Sequence, residues 1–418
     1  MNINAERLYA SLTALGQIGA YSDPDSGVSG VRRLALTAAD AQGRRHVVEQ
    51  MKALGLEVTV DQIGNVFARR RGRDDGARPV MAGSHIDSVA TAGRFDGCLG
   101  VLGALEVVHT LNDAKHVTRR PLVVAFFTEE EGSRFGTDML GSAVATGRVP
   151  LERAWGLKDA AGLSVRAELE AIGFLGAQSV ALAAPHAYVE CHIEQGPTLK
   201  AAQQDIGVVT GVQAICWHEL TLIGKSAHAG TTPMALRADP GVAASRINVK
   251  LRELVASGRY GTELRATMGQ LRLEPGLVNV VPNRVTCTVD LRNPEEEILA
   301  RALEELLGFY RQVATEEKIT LTHRETARTP PVAFAQKVQE LVAGAAKRRG
   351  LSSRAIVSGA GHDCQELARL CPAGMVFVPG EADGISHNPR ELSTSEQCAN
   401  GVNVLLDVLT ALAEEEGR

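Results

Sequence analysis

Aromatic residues are scarce, at 4% of 418 positions, and the formal net charge is only -5. Few stacking platforms and no general basic field are on offer for nucleic acid, so no nucleic-acid partner is expected. Uncharged apolar runs stop well short of the roughly 18 to 20 residues that span a bilayer. The first residues also lack a basic segment leading into an apolar one, so neither membrane insertion nor secretion is expected. Seven cysteines, an odd number with no Cys-x-x-Cys pair, argue against a disulfide framework or a thiolate zinc knuckle and point to the reducing cytoplasm. Also missing are a Gly-x-Ser-x-Gly elbow, a phosphate-binding Gly-x-x-x-x-Gly-Lys-Ser/Thr loop and a His-Glu-x-x-His helix. Gly97, Gly100 and Gly103 are spaced for helix packing, not for a dinucleotide loop. What is present is an ordinary globular composition, 44% hydrophobic and 22% charged. The chain is long enough for two domains of roughly 100 to 250 residues, and a small molecule is the expected partner.

Hydrophobic periodicity places helices at 4–15 and 38–54, a strand at 57–60, and buried strands at 79–83, 121–127 and 187–191. A helical pattern over 100–111 supplies the crossover that parallel strands require. From Gly211 onward the order changes. A strand at 219–223, a helix at 240–256, strands at 266–273 and 284–292, a helix at 294–315 and a strand at 319–323 read as β-α-β-β-α-β, the ferredoxin-like arrangement. After Pro330-Pro331 the α/β alternation resumes with a helix to Arg349, a strand at 375–378 and a closing helix at 395–415. The expected architecture is therefore α/β, with a mostly parallel sheet in a larger domain, residues 1–212 and 326–418, split by an inserted ferredoxin-like α+β domain, residues 213–325. The charge runs Arg69 to Arg73 and Glu414 to Glu416 read as solvated surface.

The polar residues that could carry chemistry follow buried strands, where ligands collect in parallel sheets. Gly83-Ser84-His85-Ile86-Asp87 ends the first of these strands, and a carboxylate two residues from a histidine suits the orientation of a metal-bound imidazole. Asp96-Gly97 opens the crossover helix, where Asp96 alone reads equally well as an N-cap. The next strand ends in Glu129-Glu130-Glu131, three adjacent carboxylates whose repulsion calls for a cation. One would be a ligand and one a general base. His192 would be a further ligand, and Gln195 a neutral group able to hold substrate. His387 follows the strand at 375–378. The donors are nitrogen and oxygen throughout, so Zn, Mn, Co or Ni are all admissible. If two cations bind, Asp96 is the candidate to bridge them. Cys98, Cys191 and Cys364 read as small core residues.

Taken together, Gly83-Ser84-His85-Ile86-Asp87-Ser88, Gly93-Arg94-Phe95-Asp96-Gly97, Glu129-Glu130-Glu131-Gly132-Ser133-Arg134-Phe135, His192-Ile193-Glu194-Gln195-Gly196-Pro197, Gly224-Lys225-Ser226-Ala227-His228-Ala229-Gly230 and Ser386-His387-Asn388 resemble the M20 family of metal-dependent exopeptidases and amidohydrolases. The resemblance is to its hydantoinase/carbamoylase branch and runs along essentially the whole chain. It implies one divalent metal on His85, Asp96 and His192 and a second on Asp96, Glu131 and His387, with Glu130 as general base and Asp87 orienting His85. Glu129 stands where relatives commonly have Asp. The resemblance further implies a lid and dimerisation role for the inserted domain, with His228 stabilising the oxyanion in its own or the partner subunit's site. A substrate carboxylate would be held by Gln195, Asn279 and Arg292, the last two on adjacent lid strands, with Gly361-His362-Asp363 in the pocket wall. The implied substrate is an N-carbamoyl-L-amino acid, with allantoate or 3-ureidopropionate as alternatives. A metal-dependent binding protein without turnover is the rival from another class. Intact Glu130, Glu131 and Asp96 speak against it, since binding alone needs no base.

Overall fold

The computed structural model describes residues 1–416. Four strands, Val80–His85, Leu122–Phe127, Ala187–Ile193 and Ala373–Val378, are buried at every position. Their continuous apolar composition suits a sheet covered on both faces. They lie side by side and parallel in the order 373–378, 187–193, 80–85, 122–127. Antiparallel strands flank this centre, Val66–Arg70 and Glu57–Val60 on one side and Ile206–Val212 on the other. Ser353–Ser358 and Val332–Ala333 complete the nine-stranded sheet. The run Arg69 to Arg73 is therefore partly strand, not only solvated surface.

The crossover from Val80–His85 to Leu122–Phe127 is the helix Cys98–Asp113, buried along most of its length. Its one interior charge, Glu106, is matched by Arg7 at 2.7 Å. The closing helix Ser395–Glu414 packs against it and starts with a reciprocal Thr394/Gln397 capping box. Because 122–127 lies on one side of 80–85 and 187–193 on the other, the chain reverses its direction of travel across the sheet at His85. A crevice at the carboxyl ends of the strands opens at such a reversal.

Two compact units result: Met1–Val212 with Ala333–Arg418, and Gln213–Val332. The second unit has strands in the order 265–267, 284–293, 214–223, 320–329, and 271–274 also pairs with 284–293. The helices Pro240–Ala256 and Glu296–Glu316 supply its core together with Val285, Cys287, Val289 and Leu291, which alternate along Arg284–Asn293. Two expectations need correction. The last strand runs to Thr329, paired with Ile215, so the inserted unit extends past residue 325. The single strand expected at 266–273 is two, Arg265–Thr267 and Leu271–Glu274. Four steps from Thr267 to Leu271 oppose three from Asp290 to Cys287, so one residue is extra and the ladder bulges around Gly269.

Candidate metal centre

Each of the four central strands delivers polar side chains to the same end of the sheet. His85 is the last residue of its strand and His192 the last but one of the neighbouring strand. Glu129, Glu130 and Glu131 follow Phe127, and His387 lies in the loop after Val378. Asp96 precedes the crossover helix. His85, Asp96 and His192 bring ligand atoms within 4.8 Å of one another, and so do Asp96, Glu131 and His387. Asp96 serves the two groups with different oxygens. Its Oδ1 lies 3.2 Å from His192 Nε2 and 3.6 Å from His85 Nε2, while Oδ2 lies 3.5 Å from His387 Nε2. Glu131 Oε2 is 3.1 Å from the same His387 nitrogen.

The tautomers suit cation binding. His85 Nδ1 lies 3.0 Å from the carbonyl oxygen of Asp87, and His192 Nδ1 lies 2.9 Å from that of Ile193. A carbonyl only accepts, so Nδ1 carries a proton in both rings, and each Nε2 lies beside Asp96 Oδ1, that of His192 also accepting from the Gly97 N–H at 3.0 Å. The donor set therefore fits divalent cations such as Zn, Mn, Co or Ni. Asp87 faces His85 and does a second job besides. Its main-chain carbonyl takes the hydrogen bond from His85, its carboxylate Oδ1 lies 3.9 Å from the same nitrogen, and that carboxylate also accepts from the backbone N–H of Glu130 and Glu131, both at 3.4 Å. It thus holds the glutamate loop in place.

Electrostatics in this cluster is dominated by burial of like charges. Burial, aggravated by Asp363, Glu131 and Asp96 and opposed by His85, pushes the Glu130 carboxyl well above the usual range. Burial works against protonation of His85, but Glu130, Asp96, Asp87 and Glu131 outweigh it and hold that imidazole well above its ordinary value. Burial would also raise Asp96, yet His192 and His85 hold it well below the usual carboxylate range. A site so rich in buried carboxylates needs positive charge, from imidazolium protons or from cations. Glu130 Oε2 lies 3.4 Å from His85 Nε2 and belongs to neither ligand group, which leaves it available as a base.

Sequence reasoning missed the roles of three further side chains. Glu391, buried, accepts from the N–H groups of Phe95 (2.9 Å) and Asp96 (3.1 Å) and fixes the turn that presents Asp96. Ser386 Oγ lies 2.8 Å from both Glu391 Oε2 and Asp96 Oδ2. One hydroxyl proton cannot serve two carboxylates, and burial together with Asp96 pushes Glu391 up to about 7, so a proton on Glu391 resolves the contact. Glu190, buried inside its strand, accepts from Ser84 Oγ (2.6 Å) and Cys364 N (2.9 Å) beside His192. The only signal for Glu391 was its position four residues after His387, and for Glu190 a carboxylate inside an otherwise buried strand.

The expected substrate residues fall in different places. Gln195 meets the cluster directly, with Nε2 donating to Asp96 Oδ2 at 2.7 Å. His362 and Asp363 are buried behind the metal-binding groups. The His362 ring packs edge-on against His192 with centroids 4.5 Å apart, and Asp363 accepts from Ser142 Oγ at 2.6 Å. In the inserted unit, His228 and Asn279 come together on the short ladder of Ala227–His228 with Val280–Val281, where Ala229 N donates to Asn279 O at 3.0 Å. His228 Nδ1 accepts from the N–H groups of Gly230 (3.0 Å) and Thr231 (3.2 Å), so its Nε2 carries the proton and is a donor. Asn279 is in an exposed turn, not on a strand beside Arg292. Arg292 lies at the far end of Arg284–Asn293, eight residues and about 26 Å from Arg284, the end that adjoins the His228 ladder. There it pairs with Asp290 at 2.7 Å. Within one inserted unit, His228 and Asn279 cannot grip the same small molecule as Arg292.

Known proteins resemble this chain along almost its whole length. Residues 81–411 match the family model described as peptidase family M20/M25/M40. The N-carbamoyl-L-amino-acid amidohydrolase of Rhizobium meliloti is 39% identical over 99% of this chain and 97% of its own. The allantoate amidohydrolase of Bacillus subtilis (strain 168) is 35% identical over 96% and 95%. The crystal structure of an amidase of the hydantoinase/carbamoylase family from Burkholderia vietnamiensis superposes with a TM-score of 0.94 at 42% identity, covering 99% of this chain and 98% of that one. The chain therefore belongs to the M20/M25/M40 peptidase family, alongside its hydantoinase/carbamoylase amidases.

Proposed function

We propose that this protein hydrolyses the ureido C–N bond of an N-carbamoyl-L-amino acid, releasing the amino acid, carbon dioxide and ammonia. The observation that carries the reading is Asp96 offering one oxygen to each of two histidine-containing groups, with Glu130 beside them and uncommitted. His85, Asp96 and His192 would hold one divalent cation, and Asp96, Glu131 and His387 the other. Such cations, when bound, supply Lewis-acid polarisation of a carbonyl and lower the pKa of water. Glu130 would take the proton of the attacking water and return it to the leaving nitrogen, after which the carbamate decomposes. Gln195 and Arg292 would hold the substrate carboxylate, the planar guanidinium matching both oxygens. His228 Nε2–H is a donor suited to the oxyanion. An allantoate substrate is the second reading, favoured by the 35% identity to the Bacillus subtilis enzyme. The relatives' substrates differ beyond the ureido group.

The separation of Arg292 from His228 and Asn279 supports a homodimer in which His228 and Asn279 enter the partner subunit's site. An apolar surface on the inserted unit suits that assembly. Val242 and Val249 on the Pro240–Ala256 helix and Leu271 and Leu273 on a strand with one open edge are exposed, and Val278 fully so. Seven free cysteines suit the reducing cytoplasm.

Metal-stripped protein reloaded with Mn, Co, Ni or Zn and assayed for ammonia release from N-carbamoyl-L-amino acids, allantoate, 3-ureidopropionate and a dipeptide tests the reaction. Cation-dependent release from a ureido substrate is expected, and the best substrate chooses between the readings. Loaded protein that releases ammonia from none of them would overturn the proposal. Mixing inactive Glu130→Gln subunits with inactive His228→Ala subunits tests the shared site, because only a mixed dimer then holds one complete site. If mixing restores nothing while both variants still dimerise and exchange subunits, His228 acts within its own subunit or not at all.

A further inference from the structure

Away from all residues assigned above, the inserted unit gathers a different donor set. The strand Ala214–Ile223 and its edge neighbour Thr320–Thr329 bring Cys216, His218 and Glu325 within 4.8 Å of one another. Cys216 Sγ lies 3.5 Å from His218 Nε2 and 3.8 Å from Glu325 Oε2, and His218 Nε2 lies 4.0 Å from Glu325 Oε2. A tetrahedral zinc with bonds of about 2.3 Å to sulfur and about 2.0–2.1 Å to nitrogen and oxygen holds its ligands about 3.3–3.6 Å apart. The Cys216–His218 side of the triangle already has that length. Glu325, 46% exposed and 3.7 Å from Arg328, would close the other two by turning from Arg328 to the cation.

The local chemistry favours a cation. Cys216 and His218 stand two residues apart on one strand, so both project from the same face, the face that carries the unit's apolar core. His218 is only 4% exposed, and its Nδ1 has no hydrogen-bond partner. Burial and the neighbouring His323 keep the imidazole pKa down, so a neutral ring offers its lone pair. Arg328 now brings positive charge to the triangle, with Nη1 4.0 Å from Cys216 Sγ and 3.7 Å from Glu325. Its other nitrogen pairs with Glu296, so a bound cation would take the place of Nη1 beside Cys216 and Glu325.

We propose that Cys216, His218 and Glu325 form a thiolate-containing site for a divalent transition metal, zinc by its chemistry. It is separate from the all-nitrogen-and-oxygen groups around Asp96 and independent of the reaction proposed above. Cys216 would bind as the thiolate, releasing its proton to solvent. The bound ion would pin the edge strand Thr320–Thr329 to Ala214–Ile223, at the end where the chain enters and leaves this unit.

Cobalt(II) distinguishes the two kinds of site, because only a thiolate ligand gives a near-ultraviolet sulfur-to-cobalt charge-transfer band. Full-length, metal-stripped protein is titrated with cobalt, following absorbance and bound equivalents. The wild type should develop the band. Cys216→Ser should lose it and bind one equivalent less, and Glu325→Ala, altered at a half-exposed position, should need more cobalt to reach it. The visible bands of cobalt at the Asp96 groups, retained in both variants, report that each is folded. A wild type without the band, a band that persists in Cys216→Ser, or equal stoichiometry in all three proteins would overturn the site.

Discussion

Gly97 leaves no room for a side chain beside the candidate metal ligands. Its φ is +65°, and a Cβ added there would sit 2.4 Å from Nε2 of His85 and 2.5 Å from two ring carbons. Two costs of Gly97→Ala can be separated. With φ +65° and ψ −44°, Gly97 lies outside the left-handed helical well, so a side chain there costs at least the about 1–2 kcal/mol of that well, and forcing atoms into a packed site costs about 1–3 kcal/mol. Gly27, at φ +68° with no atom within 4 Å of its added Cβ, carries only the first. The gain from stiffening the unfolded chain, about 0.4–1 kcal/mol, is common to both and cancels in the comparison. Gly97→Ala should therefore unfold more easily than Gly27→Ala by at least the steric cost of about 1–3 kcal/mol. Urea unfolding of metal-stripped protein measures this, in a Trp217→Phe background so that Trp155 alone reports on the larger unit. The His85 ring must also shift from Asp96 Oδ1, so affinity for the first cation should fall in Gly97→Ala and not in Gly27→Ala. Equal stability and equal cation affinity in the two variants would refute the argument that the missing Cβ makes room for the imidazole.

Three further outcomes are expected. Glu130→Gln keeps the shape and both ligand groups but cannot accept a proton. Ammonia release should drop by a factor of about 10² to 10⁴ with bound metal unchanged, and full activity would sink the assignment. Burial opposes protonation of His387, but Glu131 and Asp96 outweigh it and raise its pKa to about 9. A cation must displace that proton, so affinity at this group should climb from neutral pH and flatten above about 9, by about tenfold per pH unit for each proton released. A flat profile in chelator competition would remove His387 from the ligands. Glu391→Ala strips acceptors from the buried N–H groups of Phe95 and Asp96, at a cost of about 1–3 kcal/mol each. Cation affinity should fall about 10–100-fold as Asp96 loses its fixed position, and unchanged affinity would make Glu391 merely structural.

The residues around Asp96 were legible in the sequence because each follows a run of buried apolar residues, and such runs in a parallel sheet end on one side. What stayed hidden is contact between distant segments. Nothing near Asp87 tells that its carboxylate supports the backbone of Glu130 and Glu131, and nothing near Glu391 tells that it faces residues 95 and 96. Strand limits failed at sheet edges. Thr320–Thr329 is mostly exposed and polar, so its periodicity fades while its hydrogen bonds continue. The position of Arg292 relative to Asn279 could not be read, since it depends on how far the Arg284–Asn293 strand runs from the His228 ladder.

The split of the larger unit also sets an order of manufacture. Strand Ala373–Val378 is hydrogen-bonded between Ala187–Ile193 and Ile206–Val212, yet the whole inserted unit is synthesised before it. Until it emerges from the ribosome, one side of Ala187–Ile193 and one side of Ile206–Val212 are unpaired edges, open to other chains. His387 arrives later still. The candidate group of His85, Asp96 and His192 is thus synthesised well before the end of the chain, whereas that of Asp96, Glu131 and His387 is complete only when synthesis is nearly finished.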